Sequence, residues 1–280
     1  QRGQALAHAL EDEDLEPAYR AQMLALPGEM DLAREMRHDV DPTAIHEARE
    51  QVLKVIGKAL HPELERAYEK HRVKGTYRPD AKSAGHRSLR TAALALIVAR
   101  GEAEDVALAA RHYADAKSMT EQLTGLAILS HIDTPERVKA LEHFEKAWSD
   151  DLLVMDKWFA VQAMSDLPDT VERVEELCQH PLFSLKNPNK VRSLIGSFAM
   201  GNQLNFNRAD GKGYELVAGK VIEIDGFNPQ VAARMLGAFR SFRNLEPGRK
   251  RLARKALKRV AAHKGLSRDS YEIVTRTLEA

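Results

Sequence analysis

Apolar residues recur at three- and four-residue spacing along most of the chain, which is the pattern of a buried stripe on an α-helix. The clearest stripes are Tyr19/Met23/Leu24/Leu26, Leu89/Ala93/Leu96/Ile97, Val106/Ala109/Ala110/Tyr113, Val191/Leu194/Ile195/Phe198 and Val231/Met235/Phe239/Phe242. No segment shows the strict apolar–polar alternation that marks a half-buried strand. The pattern therefore predicts an all-α fold.

Short connections rich in capping residues separate the predicted helices. Ser118 is placed to cap a helix over 119–130, and Asp41-Pro42 begins a long helix to about Glu69, with any bend expected at Gly57 or Pro62. Consecutive helices with short connections pack as antiparallel pairs, so we expect an irregular α-solenoid, or superhelix, of the armadillo or HEAT kind. No fixed-period sequence repeat is visible.

The clearest loop in the first half of the chain runs over residues 75–85 and contains Pro79. The composition changes at this point. The organisation predicted is one helical domain over 1–280, with a subdomain break near 75–85.

Two helix starts in the second half share one layout. Asn187-Pro188 and Asn228-Pro229 each combine an N-cap residue with a proline suited to the first helical position. Arg192 and Arg234 follow at similar offsets, on a flank distinct from the apolar stripe. Spacing alone favours two ordinary amphipathic helices with surface arginines.

Composition excludes several classes of protein. The 280 residues are 44% hydrophobic and 30% charged, and 42 Lys and Arg nearly balance 41 Asp and Glu. No global charge therefore favours nucleic acid or an anionic membrane, and no apolar run is long enough to span a bilayer. The single cysteine, Cys178, fits a reducing compartment, so we expect a cytoplasmic protein. Residues 1–4 lack an initiator methionine and a signal-peptide layout, so we expect a piece of a longer protein.

Sites with familiar chemistry are absent from the sequence or better explained otherwise. His46-Glu47 is the one His-Glu pair, and Glu50 occupies the position of the second histidine in a His-Glu-x-x-His zinc motif. A calcium loop at 205–216 fails because Leu216 replaces the bidentate glutamate. We therefore expect no metal or cofactor in this chain. The basic run at 249–259 is interpreted as a solvated helix face, with nucleic-acid binding as the alternative.

Four segments in order resemble the C-terminal helical domain of bacterial aminopeptidase N, a gluzincin zinc aminopeptidase. They are residues 154–159, 187–199, 210–214 and 228–234. The resemblance is strongest from about residue 140 onward. It implies a helical superhelix that packs against a zinc-bearing catalytic domain of the same polypeptide and caps the active-site chamber.

The same resemblance implies roles for three residues. Arg192 and Arg234 match arginines that face the substrate cavity, where they would hold the carboxylate end of a short peptide. Asn228 is a candidate for a further polar contact, although an N-cap role explains it equally well. The chain alone would not be an enzyme, and zinc would belong to the full-length protein.

Two other classes stay open. The alternative is a free-standing α-solenoid scaffold that binds protein or nucleic acid, and an enzyme with an unrecognised site has the least support. If this chain is a fragment, an apolar interface left exposed would allow it to self-associate.

Overall fold

The computed structural model describes residues 2–279, with side chains from residue 5 onward, and its regular secondary structure in this range is helical throughout. In chain order, the α-helices are α1 (Arg2–Glu11), α2 (Pro17–Met23), α3 (Glu29–Met36), α4 (Pro42–Ala59), α5 (His61–Lys70), α6 (Ala81–Val98), α7 (Ala103–Ala114), α8 (Met119–Ser130), α9 (Pro135–Trp148), α10 (Leu152–Ala163), α11 (Thr170–Leu177), α12 (Pro188–Val191), α13 (Ser197–Gly201), α14 (Gln203–Phe206), α15 (Lys212–Asp225), α16 (Pro229–Met235), α17 (Pro247–Ala261) and α18 (Arg268–Glu279). A π-helical turn, Arg192–Gly196, joins α12 to α13, and two 3₁₀ turns, Leu236–Phe239 and Phe242–Asn244, follow α16. The predicted all-α class is confirmed.

The helices form two compact units. The first comprises Gln1–Pro27 and Glu47–His143, and the second comprises Gly28–His46 and Phe144–Ala280. The divisions fall within α4 and α9 and after Pro27. Residues 75–85 lie inside the first unit, partly in the connection between α5 and α6 and partly in α6, and a subdomain break there stays a prediction.

In the first unit, α2 and α5 pack against α6, and α7 pairs with α8. α6 supplies the centre of this core because Leu89, Ala93, Leu94 and Ile97 are fully buried. Helix backbones approach closely at Gly57, where an added Cβ would lie 2.2 Å from the Leu96 carbonyl oxygen. Only glycine fits such a contact.

In the second unit, α15 packs against α16 and α17, and α18 packs against the same two helices. The core contains edge-to-face aromatic rings, the geometry that aromatic pairs favour. The Phe206 ring centroid lies 5.2 Å from that of Tyr214, 5.2 Å from that of Phe239 and 6.4 Å from that of Phe198. This core supports the helices that carry Arg192 and Arg234.

Most predicted helix ends agree with the structure. Ser118 caps α8 by accepting a hydrogen bond from the Glu121 amide at 3.3 Å. The long helix predicted from Pro42 divides at Leu60 into α4 and α5, beside the expected bend at Pro62. α1 is not predicted by the sequence pattern. The predicted loop at 75–85 extends too far, because Asp80 caps α6 and Gly85 lies inside that helix.

Candidate functional site

The first predicted helix start is confirmed. The Asn187 side chain accepts a hydrogen bond from the Asn189 amide at 3.0 Å, and Pro188 occupies the first helical position of α12. The cap and the proline fix where this helix begins, and therefore fix the position of Arg192 four residues further on.

A π-helical turn follows at once, which the sequence pattern does not predict. It runs over Arg192–Gly196 and changes the single predicted helix into three short segments. The apolar stripe Val191/Leu194/Ile195/Phe198 is fully buried, whereas Arg192 is exposed. The predicted separation of the arginine from the apolar flank is thus confirmed. Turns of this kind are frequent at functional sites.

A buried ion pair joins two of the segments that carry the resemblance. The Lys190 ammonium group donates to the Asp156 carboxylate at 2.7 Å and to the Leu152 carbonyl at 2.8 Å. It also lies 5.5 Å from the centroid of the Phe159 ring. Because Lys190 is buried, its charge requires these partners. The pair anchors α12 to the first half of α10. Because α12 directly precedes the π-helical turn, this contact also fixes the turn that carries Arg192.

The second predicted helix start is confirmed as well. The Asn228 side-chain oxygen accepts a hydrogen bond from the Val231 amide at 3.3 Å, so this atom serves as the N-cap of α16. Arg234 is exposed near the end of α16, while Met235 and Phe239 are buried. Val231 is only half-buried, so its part in the predicted apolar stripe is smaller than expected.

Arg234 lines a surface pocket of about 540 Å³ that contains three further arginines, and we call it the arginine pocket. Its lining residues come from α16, the segment that follows it and α18: Ala233, Arg234, Leu236, Gly237, Arg240, Arg243, Ile273, Arg276 and Thr277. The sequence interpretation missed Arg240, Arg243 and Arg276. The one signal for them in the sequence is the three-residue spacing of Arg240 and Arg243. Only the fold shows that α18 supplies the fourth arginine of the pocket, Arg276.

The four guanidinium groups differ in their surroundings. Within residues 2–279, Arg234 and Arg240 make no side-chain hydrogen bond or ion pair. Arg243 donates to the backbone carbonyls of Thr277 and Leu278 at the end of α18. Arg276 forms an exposed ion pair with Glu272 at 3.1 Å. Three of the four arginines therefore have no carboxylate partner in the described part of the chain, and two of these, Arg234 and Arg240, have no hydrogen-bond partner there either.

Arg192 does not line the arginine pocket. Its guanidinium group also has no hydrogen bond or ion pair in the described residues, with Arg234 or with any other residue. The structure thus places both arginines on exposed surfaces of the second unit. Their joint action on one ligand stays a prediction.

The segment 210–214 serves the fold. Gly211 has a φ of 78°, which favours glycine, and a Cβ on Gly213 would lie 2.3 Å from the Phe206 carbonyl oxygen. The buried Tyr214 hydroxyl donates to Asn207 at 2.9 Å. Hydrogen bonds from the neighbouring Arg208 and Lys212 lower the pKa of Glu172 to about 2. The predicted turn before a helix is confirmed.

The basic run on α17 needs one correction. Arg249 is 5% exposed and donates to the Asn207 carbonyl and to Thr43, so it is not part of a solvated face. Lys250 is half-buried, and the later cationic positions of the run, Arg251, Arg254, Lys255, Lys258 and Arg259, are exposed. Of the residues predicted to be buried, Ala256 and Val260 are buried and Leu252 is half-buried.

His46 has a structural partner outside the motif considered for zinc. Its Nδ1 atom lies 2.8 Å from the Glu29 carboxylate. Within residues 2–279, no group of three or more His, Cys, Asp or Glu side chains is arranged to hold a metal ion. In the same range, no helix has the length and apolar character needed to cross a membrane.

These observations define a class of protein: an all-α domain whose exposed arginines lie on a helical scaffold. A family described as a domain of unknown function (DUF3458_C) with ARM repeats matches residues 2–279, and the chain belongs to this family. The match agrees with the predicted armadillo-like fold.

Individual relatives connect the family to aminopeptidases. The chain is 39% identical to the aminopeptidase N of Caulobacter vibrioides over 274 residues, which cover 98% of this chain and 32% of the relative. It is 34% identical to the aminopeptidase N of Escherichia coli over 276 residues, or 98% of this chain and 31% of the relative. A crystal structure of Legionella pneumophila aminopeptidase A in complex with aspartic acid matches with a TM-score of 0.90 and 26% identity, over 99% of this chain and 33% of that one. The chain thus spans about a third of the length of these relatives, and the resemblance to the C-terminal helical domain of aminopeptidase N is confirmed.

Proposed function

We propose that this chain is the non-catalytic C-terminal domain of a zinc-dependent aminopeptidase, where it caps the active-site chamber and positions short peptides. The observation that carries the proposal is the match to aminopeptidase N over 98% of the chain but only 32% of the relative. A segment of that size supplies a complete domain, and the rest of the relative has room for the catalytic machinery.

In the proposed mechanism, Arg192 and Arg234 bind the carboxylate end of a peptide substrate. A guanidinium group presents two parallel N–H donors to a carboxylate and stays charged at any physiological pH. Both side chains are exposed and lack partners in the described residues, so each is available to a ligand. The side-chain oxygen of Asn228 is occupied by the cap of α16, which leaves its amide nitrogen to donate a polar contact.

The reaction itself belongs to the rest of the polypeptide. We propose that zinc and its general base are held in the catalytic domain, that this domain is the main partner of the helical one, and that the enzyme works in the cytoplasm. A cap over the chamber excludes folded proteins by size, so short peptides are the proposed substrates. A peptide anchored at its carboxylate end presents its scissile bond in a fixed position, which lowers the entropic part of the barrier.

The test uses the full-length enzyme with Arg192→Gln and Arg234→Gln substitutions. Loss of a charge-assisted hydrogen bond to the substrate carboxylate costs about 1.5–3 kcal/mol, so kcat/KM for short peptides should fall about 10- to 100-fold. Most of the loss should appear in KM. An aminoacyl-anilide has no carboxylate end, so its KM should change little.

The control is Arg251→Gln, which removes an exposed arginine of α17 that does not line the arginine pocket. It should leave both substrates unaffected. Equal losses for peptides and anilides with the Arg192 and Arg234 variants would refute the carboxylate clamp. The domain assignment has its own test, because the 280-residue chain alone should neither bind stoichiometric zinc nor cleave anilides.

A second candidate, a scaffold that binds nucleic acid, is supported by the exposed cations of α17. Arg251, Arg254, Lys255 and Lys258 follow at helical spacing and face solvent. Such a face predicts salt-sensitive binding to DNA or RNA that is lost when Arg251 and Lys255 are both changed to glutamine. An electrophoretic mobility shift at low and high salt distinguishes this candidate from the first.

A further inference from the structure

The arginine pocket contains more positive charge than a peptide carboxylate requires. Four of its nine lining residues are arginines, and none is aspartate or glutamate. Among these arginines, only Arg276 forms an ion pair in the described residues; its partner Glu272 is exposed, so the pair is weak. A cavity of about 540 Å³ lined in this way concentrates positive potential.

The scaffold brings these four arginines to the lining of one pocket. α16 and the 3₁₀ turn after it are fixed by the buried side chains of Met235, Leu236 and Phe239. α18 packs against both, and Arg243 ties the two sides together through hydrogen bonds to the carbonyls of Thr277 and Leu278. Like charges held this way repel one another, and an anion placed among them removes that repulsion.

The chemistry of the lining selects the ligand. Guanidinium groups bind phosphate and carboxylate oxygens in a bidentate fashion. One carboxylate occupies one or two such groups, whereas four guanidinium groups suit a ligand with several charged oxygens. The lining otherwise consists of small or apolar residues and one threonine, so it offers little to a neutral or cationic ligand.

We propose that the arginine pocket binds a small oxyanion that carries two or more negative charges, with Arg234 and Arg240 as its principal contacts. The site lies entirely within the second unit. It does not depend on the capping role proposed above, and Arg240 has no part in the peptide clamp. The ligand class comprises polyphosphates and polycarboxylates, which share the same recognition chemistry.

The experiment titrates the 280-residue chain with pyrophosphate and, separately, with citrate, by isothermal calorimetry at constant ionic strength. Either or both should bind at one site, and the stronger one identifies the preferred oxyanion. Acetate and chloride, with one charge each, should bind much more weakly. Affinity should fall as NaCl is added, because exposed charges are screened.

Three variants locate the site. Arg240→Gln and Arg234→Gln should each weaken the preferred anion about tenfold or more, because each removes a charged donor from the pocket. Arg192→Gln should leave its affinity unchanged, since Arg192 does not line the pocket. All three side chains are exposed, and equal urea midpoints without ligand would show that folding is intact.

The proposal is overturned by either of two results. One is the absence of saturable binding by both pyrophosphate and citrate. The other is binding that Arg240→Gln leaves intact or that Arg192→Gln weakens equally. The peptide clamp shares Arg234 with this pocket but has its own test, which is KM for short peptides and for anilides in the full-length enzyme.

Discussion

Replacing Asp156 by asparagine leaves the Lys190 ammonium group buried without its carboxylate partner. Lys190 has a side chain only 3% exposed and lies 2.7 Å from the Asp156 carboxylate, whose side chain is 19% exposed. Removal of one member of a buried ion pair costs about 3–5 kcal/mol. The Leu152 carbonyl and the Phe159 ring still contact the ammonium group, so we expect the lower end, about 3 kcal/mol.

Substitution of the other member of the pair, Lys190, should lower the free energy of unfolding by less. Lys190→Met removes the buried charge itself and keeps a side chain of similar length. Asp156 then remains partly open to water and can keep its contact with the Ser193 hydroxyl at 3.4 Å. We expect a loss of about 1 kcal/mol, chiefly from the lost hydrogen bonds of the ammonium group to the Asp156 carboxylate and the Leu152 carbonyl. The double variant should be more stable than the sum of the two single losses predicts, by about 1–2 kcal/mol.

Urea unfolding followed by tryptophan fluorescence measures these changes. The chain has two tryptophans, Trp148 and Trp158, and both belong to the second unit. The signal therefore reports the unit that contains the ion pair, and an unchanged m-value would show that all variants unfold the same surface. If Lys190→Met costs as much as Asp156→Asn, or if the two losses add, the buried-charge argument is refuted.

Three further predictions concern other parts of the chain. Burial lowers the pKa of His71 and of His112 to about 4, so the unfolded state binds more protons than the folded state below pH 6.5. The free energy of unfolding should therefore fall as the pH drops from about 6.5 to about 4, by up to about 3 kcal/mol for each histidine. His112→Gln should reduce this dependence of stability on pH, measured by urea unfolding followed by CD. Gly213→Ala should lower the urea midpoint, because its Cβ would lie 2.3 Å from a carbonyl oxygen, whereas Gly237→Ala, with no atom within 4 Å, should leave it equal or higher. Burial raises the pKa of Cys178 to about 11, so its reaction with an aromatic disulfide reagent at pH 8 should be far slower in the folded chain than in urea.

Local chemistry explains the parts of the fold that the sequence predicts well. The caps at Ser118, Asn187 and Asn228 depend on a side chain and an amide two or three residues away. The break before Pro62 depends on proline's missing N–H, and the buried stripes depend on helical spacing alone. None of these features requires knowledge of what a helix packs against.

Features created by packing could not be predicted in the same way. The π-helical turn over Arg192–Gly196 has the same apolar spacing as a regular helix, so its sequence gives no warning. Arg249 belongs to a basic run, yet Asp41 and Glu246 lie close enough to neutralise it when buried. The arginine pocket depends on α18, which follows Arg234 by more than thirty residues and carries Arg276 into the same cavity.

The segments that carry the family resemblance contain two kinds of residue. Lys190, Gly213 and Tyr214 are required by the fold, because each has a buried partner or a close backbone contact. Arg192 and Arg234 have no such requirement in the described residues, since both are exposed and unpartnered there. A long cationic side chain held on a well-packed helix, without a partner of its own, is available to a molecule outside the chain. Arg240 meets the same criterion and also lines the arginine pocket, so unpartnered cations that line a cavity mark the surface on which ligand binding should first be sought.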